Sequence, residues 1–215
     1  MVKKFFFLAL IICTSKCATP QQMIEKINGQ SCFANKIIDD ERLKQSGYYE
    51  FKLPFRNSKK LNVPMDTTKW GVVFYEDGFF VENLDINFFN DNGDKRGFYA
   101  RSATHFGCYN IDGDTIKAHF FNSPGDMASA EGFVWYRIID TNSIEEIAFQ
   151  YYDTIRAETL SELSKNVYRK NISVGKYRWS DRLPNPNKSW LKRKKWFWCD
   201  PKEWEKWMKE KGYRY

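Results

Sequence analysis

A chain of 215 residues is long enough for one domain of ordinary size with a continuous core and some extra chain beyond it. The aromatic share of 18% favours strands, and the formal charge of +7 is concentrated in one place: residues 188–215 hold 8 Lys and 2 Arg against 1 Asp and 3 Glu, a net +6. Such a distribution argues against a wholly basic nucleic-acid-binding domain. It bears on the tail alone, which meets an anionic surface or simply solvent.

Residues 1–12 read as an export signal. Lys3 and Lys4 form the basic start, and the apolar run from Phe5 to Ile12 is too short to span a bilayer as a helix. Cys13 closes that run and Cys17 comes four residues later. A Cys in this place resembles the lipoprotein signal, in which the Cys is acylated. Cys13 and Cys17 are therefore the lipidation candidates, with the cell envelope as the expected location and a lipid anchor as the link to the membrane. Ordinary cleavage after Ser15 or Ala18, leaving a soluble exported chain, is the alternative. Residues 1–18 are set apart from the fold on either reading. Of the remaining Cys32, Cys108 and Cys199, an oxidising compartment allows one disulfide and one free thiol. Their spacing fits no metal motif, and nothing in the chain requires a cofactor.

Residues 19–46 form a lead-in, with a short helix over 21–28 ended by Gly29 and a mixed, partly helical stretch over 31–46. Strand one starts at Gly47, where Tyr49, Phe51, Leu53 and Phe55 alternate with Tyr48, Glu50, Lys52 and Pro54. A polar loop with Pro64 follows. Residues 70–76 are strand two, and Asp77-Gly78 turns it into strand three, where Phe80, Leu84, Ile86 and Phe88 face one way and Asn83, Asp85 and Asn87 the other. Asn92-Gly93 lies in the next turn. Residues 104–121 then fold back over Asp112-Gly113, the pair that suits a type I′ turn. This register sets Ile111 opposite Asp114, Tyr109 opposite Ile116, Gly107 opposite Ala118 and His105 opposite Phe120. One face carries Tyr109, Ile116, Ala118, Phe120 and His105, and the other Asn110, Cys108, Lys117 and His119.

After a loop with Pro124-Gly125, residues 131–140 are strand six and 144–152 strand seven. There Ile147, Phe149 and Tyr151 alternate with Glu146, Ala148 and Gln150. Leu160, Leu163 and Val167 change the period and predict a helix over 156–169. Residues 174–179 are an eighth strand, and 183–187, with Pro184 and Pro186, are extended. Seven or eight strands joined in sequence by tight turns predict a mainly β fold: an antiparallel up-and-down meander that closes into a barrel, occupying residues 47–180. An open sandwich is the second choice.

Gly47-Tyr48-Tyr49, the hairpin Gly107-Cys108-Tyr109-Asn110-Ile111-Asp112-Gly113-Asp114-Thr115-Ile116-Lys117 and the exported start resemble the lipocalin-like lipoproteins of bacterial envelopes. The likeness spans residues 47–179, with Tyr49 standing where lipocalins carry the Trp of Gly-x-Trp. It implies a barrel around a pocket for a small hydrophobic molecule. Phe51, Phe88, His105, Phe120, Phe149 and Tyr151 would line that pocket through contact rather than chemistry.

The chemistry-bearing residues point the same way. His105 and His119 fall on opposite faces and cannot share a metal; His119 is expected to be solvated beside Lys117. Asp112 and Asp114, like Asp91 and Asp94, flank turn glycines without the further ligands of a calcium loop. Gly-x-Ser-x-Gly, a phosphate loop and His-Glu-x-x-His are all missing from the sequence, and Cys108 has no His in its row to activate it. A non-enzymatic protein is expected.

The tail, residues 181–215, holds five of the eight Trp between Trp190 and Trp207, interleaved with Lys192, Arg193, Lys194 and Lys195. Single-stranded nucleic acid is an unsuitable partner for an exported chain. The choice is between a membrane or partner contact and Trp side chains that simply pack the tail onto the barrel. Asp200, Pro201 and Glu203 begin a helix there, with Trp204, Trp207 and Met208 as its apolar stripe and Gly212 as its stop. Cys199, just before the cap, lies within reach of Cys108 on the outer wall or of Cys32 in the lead-in. A structural or interaction protein with a filled barrel is the alternative to a ligand carrier.

Overall fold

The central hairpin forms, with its corner one residue further along the chain. A computed structural model describes residues 32–52, 69–85, 105–122, 131–151 and 173–213, without the side chains of 83–85 and 150–151. Strands β4 (His105–Asp112) and β5 (Thr115–Asn122) set Asp112 opposite Thr115, Ile111 opposite Ile116 and Tyr109 opposite Ala118. The loop is therefore Gly113-Asp114, not Asp112-Gly113. Gly113 has φ +58° and Asp114 stays out of the positive region, the pattern of a type II′ turn, where only the first central residue needs it. A partner shift of two residues leaves every side chain on its expected face, but it sets His119 rather than Lys117 directly opposite Cys108, so the expectation that no His lies in the row of Cys108 is overturned. Tyr109, Ile116, Ala118 and Phe120 share the interior cluster, and His105 stacks on Phe120 at 4.0 Å. A Cβ on Gly113 would meet nothing within 4 Å, so Gly113→Val tests the backbone alone. It is expected to destabilise by about 1 kcal/mol or more, read as a lower urea midpoint.

The strands β1 (Gly47–Lys52), β2 (Lys69–Phe74), β3 (Phe79–Asp85), β4, β5, β6 (Glu131–Asp140), β7 (Ser143–Tyr151) and β8 (Ser173–Trp179) pair antiparallel in sequence order. β8 returns to β1 with Gly47 opposite Trp179 and Tyr49 opposite Tyr177, so the meander closes as a barrel and the sandwich is excluded. Closure leaves no unpaired edge, and irregularities at Gly71/Val73, Trp135/Tyr136 and Ile138/Asp140 bend the sheet to achieve it.

Up-and-down order places the short turns at 75–78, 113–114 and 141–142 at one end of the barrel. The connections 53–68, 86–104, 123–130 and 152–172 start and finish at the other. Those four segments, the helices expected over 21–28 and 156–169, and Cys13 and Cys17 lie outside the described residues.

The short-turn end is plugged by the lead-in. Among the described residues this stretch contains no helix, because its polar groups find partners on the barrel. Ile38 N–H donates to Glu76 O at 2.7 Å, Gln45 Nε2 donates to Tyr109 Oη at 2.8 Å, and Lys44 N–H donates to Tyr49 Oη at 3.0 Å. Leu43 is buried in the interior cluster beside Tyr49, Phe74 and Tyr109.

The tail lies against the outer wall of β1–β5. Leu191, Phe197, Trp198, Trp207 and Met208 share one cluster with Tyr48, Val73, Tyr75, Phe79, Val81, Phe106, Cys108 and Phe121. Burying each large apolar side chain stabilises this contact by about 1.5–3 kcal/mol. The stretch expected to be extended is so only to Asn185; Pro186–Lys188 is a 3₁₀ turn, because the Asn185 side chain accepts from Asn187 N–H and folds the chain over. Helix α1 (Pro201–Glu210) is capped by Asp200, which accepts from Lys202 N–H at 2.8 Å. It ends where Gly212 takes φ +70° and Tyr213 N–H donates to Met208 O. Of the two disulfide pairings, Cys32–Cys199 forms, with Cα atoms 4.9 Å apart, and the buried Cys108 thiol takes no part in a disulfide.

Burial makes the fold sensitive to alkali. It pushes the Cys108 thiol up from 9.0 to about 12 and the Tyr49 phenol from 10.0 to about 12, and it raises Tyr109 as well. The folded chain thus keeps protons that the unfolded chain gives up, so stability is full below pH 9 and falls as pH rises towards 12. Lys192 works in the opposite sense, because desolvation lowers its pKa. A loss of a few kcal/mol by pH 11 is expected in urea titrations. Cys108→Ala should flatten its onset between pH 9 and 10.

Candidate ligand site

The interior of the barrel is buried, aromatic and aliphatic. Alternation along β3 puts Glu82 on the same face as Phe80, and along β4 it puts His105 on the same face as Tyr109. Glu82 is 1% exposed and His105 5% exposed. The two meet inside: His105 Nδ1 and Glu82 Oε2 are 2.7 Å apart, and Tyr136 Oη donates to Glu82 Oε1 at 3.0 Å. Both carboxylate oxygens are thereby used, which is what a buried carboxylate requires. A carboxylate on Nδ1 also sets the orientation of the imidazole.

Rings surround this polar chain. His105 lies 4.0 Å from Phe120 and 5.8 Å from Phe149, and Phe120 is 5.1 Å from Phe149, all centroid to centroid. Across the barrel Phe51 stacks on Trp70 at 4.4 Å and reaches Tyr136 at 5.9 Å. The Phe51 ring occupies the space that a side chain on Gly175 would need. Four of the expected lining residues, Phe51, His105, Phe120 and Phe149, thus converge near the end where the long connections begin. Phe88 lies outside the described residues. Tyr151 is opposite Gly132 in the β6–β7 ladder, and its side chain lies outside them too.

Sequence reasoning missed Glu82, Tyr136, Trp70 and Glu146. The signal for Glu82 was present, as a charge on the apolar face of strand three. Glu146 was not legible, because the ladder passes from Trp135 opposite Ala148 to Tyr136 opposite Glu146 and skips Ile147. The expected alternation is therefore overturned across the bulge. Glu146 shares the inward row with Ile144, and Ile147 packs outside with Phe133, Trp135 and Ala148.

His119 also departs from expectation. It faces outward as predicted but is 5% exposed, stacked on Phe133 at 4.6 Å, with Nε2 3.3 Å from Glu131 Oε2. Around His119 the outer face is buried, with Phe121, Phe133 and Trp135, while Arg137 further along β6 stays exposed, so polarity of a row did not mean solvation at His119. His105 and His119 do lie on opposite sides of the wall. Among the described residues no three His, Cys, Asp or Glu side chains converge as a metal site, and no helix is long and apolar enough to cross a membrane.

No protein-family model, curated protein or solved structure matches this chain.

Proposed function

We propose that this protein is a non-enzymatic carrier whose barrel binds a small, mainly apolar molecule in the half bounded by Phe51, Trp70, His105, Phe120 and Phe149. The reading rests on one observation: the Glu82–His105–Tyr136 chain inside an interior that, Glu146 apart, is built of aromatic and aliphatic side chains. Replacing such a network with apolar side chains is often neutral or favourable for stability, so stability gives little reason to keep it. A held imidazole and phenol supply direction to a ligand, and the surrounding rings supply contact area. The plug of Leu43, Tyr49 and Tyr109 at the short-turn end makes the opposite end the route of entry. Export, and a lipid anchor at Cys13 or Cys17, complete the proposal and place the carrier in the cell envelope.

Extraction of the purified native protein followed by mass spectrometry tests the binding. A co-purifying apolar molecule at near-equal molar amount is the expected result, lost when a folded His105→Leu variant is extracted. If nothing is extracted and an apolar fluorescent naphthylamine does not bind, the carrier reading fails. The second reading, a filled barrel whose work is to present the tail, would then stand. It draws on the close ring contacts of Phe74 with Tyr109 at 4.9 Å and with Tyr136 at 5.7 Å. Anchoring has its own test. Detergent partition of the host-made protein should disappear in Cys13→Ser or Cys17→Ser.

A further inference from the structure

The Cys32–Cys199 bond ties together two segments that have no other covalent reason to meet, separated by 167 residues in sequence. Cys199 is exposed and Cys32 half-buried, so a reductant reaches the bond from solvent. Around it the lead-in and the tail form a short parallel bridge at Phe33 and Trp198, with Phe33 N–H donating to Phe197 O at 2.8 Å and Cys199 N–H donating to Phe33 O at 3.0 Å. Beneath lies the outer wall of the barrel. Phe79 of that wall touches Phe33 and Phe197, and Cys108 is its direct partner across the β3–β4 ladder.

The tail's own hold on the wall is mixed. Its apolar side chains favour docking. Against them, Lys192 is only 1% exposed, with its ammonium 4.9 Å from the Phe33 and Phe79 ring centroids and paired to Asp77. A buried ammonium regains hydration when the tail lifts. The Trp190 indole N–H is buried with no acceptor among the described residues, and it too regains water. Helix α1 has ten residues, marginal by itself.

The geometry points to a redox-operated clasp: opening Cys32–Cys199 lets residues 181–213 lift from the outer wall, uncovering Cys108 and the aromatic side chains around it. The co-reactant is a dithiol reductant. Its thiolate attacks Cys199 Sγ, the exposed sulfur, forming a mixed disulfide and releasing the Cys32 thiolate, which takes up a proton. The reductant's second thiolate then displaces the Cys199 thiolate, which is also protonated, and the reductant leaves as its own disulfide. Two electrons pass to the protein, and Cys108 stays a thiol throughout.

Maleimide labelling of Cys108, located by peptide mass mapping, tests this on the full chain. The oxidised protein should label very slowly. The Cys32→Ser/Cys199→Ser double variant, and wild type treated with a phosphine, should label at Cys108 faster by about tenfold or more. Reoxidation of wild type should restore the protection. Hydrogen exchange followed alongside should show amides of 186–211 losing protection while those of β5 and β6 keep it. Equal protection of Cys108 with and without the bond would overturn the clasp. So would simultaneous loss of protection in tail and barrel, because the bond would then be a staple of the whole fold rather than a clasp on the tail.

Discussion

Gly107→Ala is expected to leave no stably folded barrel. A Cβ at this position of β4 would lie 1.8 Å from the carbonyl oxygen of His119 and 2.8 Å from its carbonyl carbon. Both atoms belong to the backbone of β5, which is paired residue by residue with β4 from His105–Asn122 to Asp112–Thr115. A flexible side chain could swing aside, but a paired strand cannot retreat without breaking its ladder. The next strand is tied in turn, since β5 pairs with β6 from Thr115–Arg137 to Phe121–Glu131. The strain therefore has no outlet, and a loss of more than about 4 kcal/mol is expected, at the extreme of single substitutions. Thermal melting by circular dichroism should show no cooperative transition, or one lowered by tens of degrees. A Gly107→Ala protein that melts close to wild type would show that β4 and β5 do not approach in this way.

Removing Glu82 is the second large effect, and it separates stability from function. Glu82→Leu leaves the His105 Nδ1 and the Tyr136 hydroxyl without the carboxylate they share, in a region closed to water. Breaking one partner of such a buried network costs about 3–5 kcal/mol. Glu82→Gln should cost much less, because the amide still accepts from Tyr136 while its NH₂ donates to His105 in the other tautomer. The triple variant Glu82→Leu/His105→Phe/Tyr136→Phe removes every member and replaces it with apolar bulk. It should recover most of the lost stability yet fail to retain an extracted ligand. Urea titrations of the three variants, with extraction of each, provide the measurement. A triple variant as unstable as Glu82→Leu would mean that the network serves the fold itself rather than a ligand.

How far the chain could be read beforehand follows from the range of the interactions involved. Local chemistry was legible. The corner at Asp112-Gly113-Asp114, the cap at Asp200, the Pro at the first helical position and the stop at Gly212 all act through atoms within a few residues, and each stands where its residue type places it, apart from the one-residue displacement of the hairpin loop. Period-two alternation put Phe51, Phe120 and His105 on the inner face before any tertiary contact was known, because a strand's pleat is a property of its own backbone. Closure was legible too, since a sequential meander of eight strands has no better way to remove its edges.

The tertiary structure alone decided the rest. A bulge inserts one residue without a mark in the sequence, and at Ile147 it turned Glu146 inward and Ile147 out. Whether an outward row is wet depends on what lies over it, so His119 and Cys108 are both buried on faces that their own strands present to solvent. Cys32 and Cys108 were equal candidates for Cys199, because a pairing across 167 residues is set by where the lead-in crosses the wall, not by spacing. The Glu82–His105–Tyr136 chain belongs to the same class. Its members sit on β3, β4 and β6, each unremarkable in its own strand, and they become one network only when the closing barrel turns three separate rows of side chains towards a common interior.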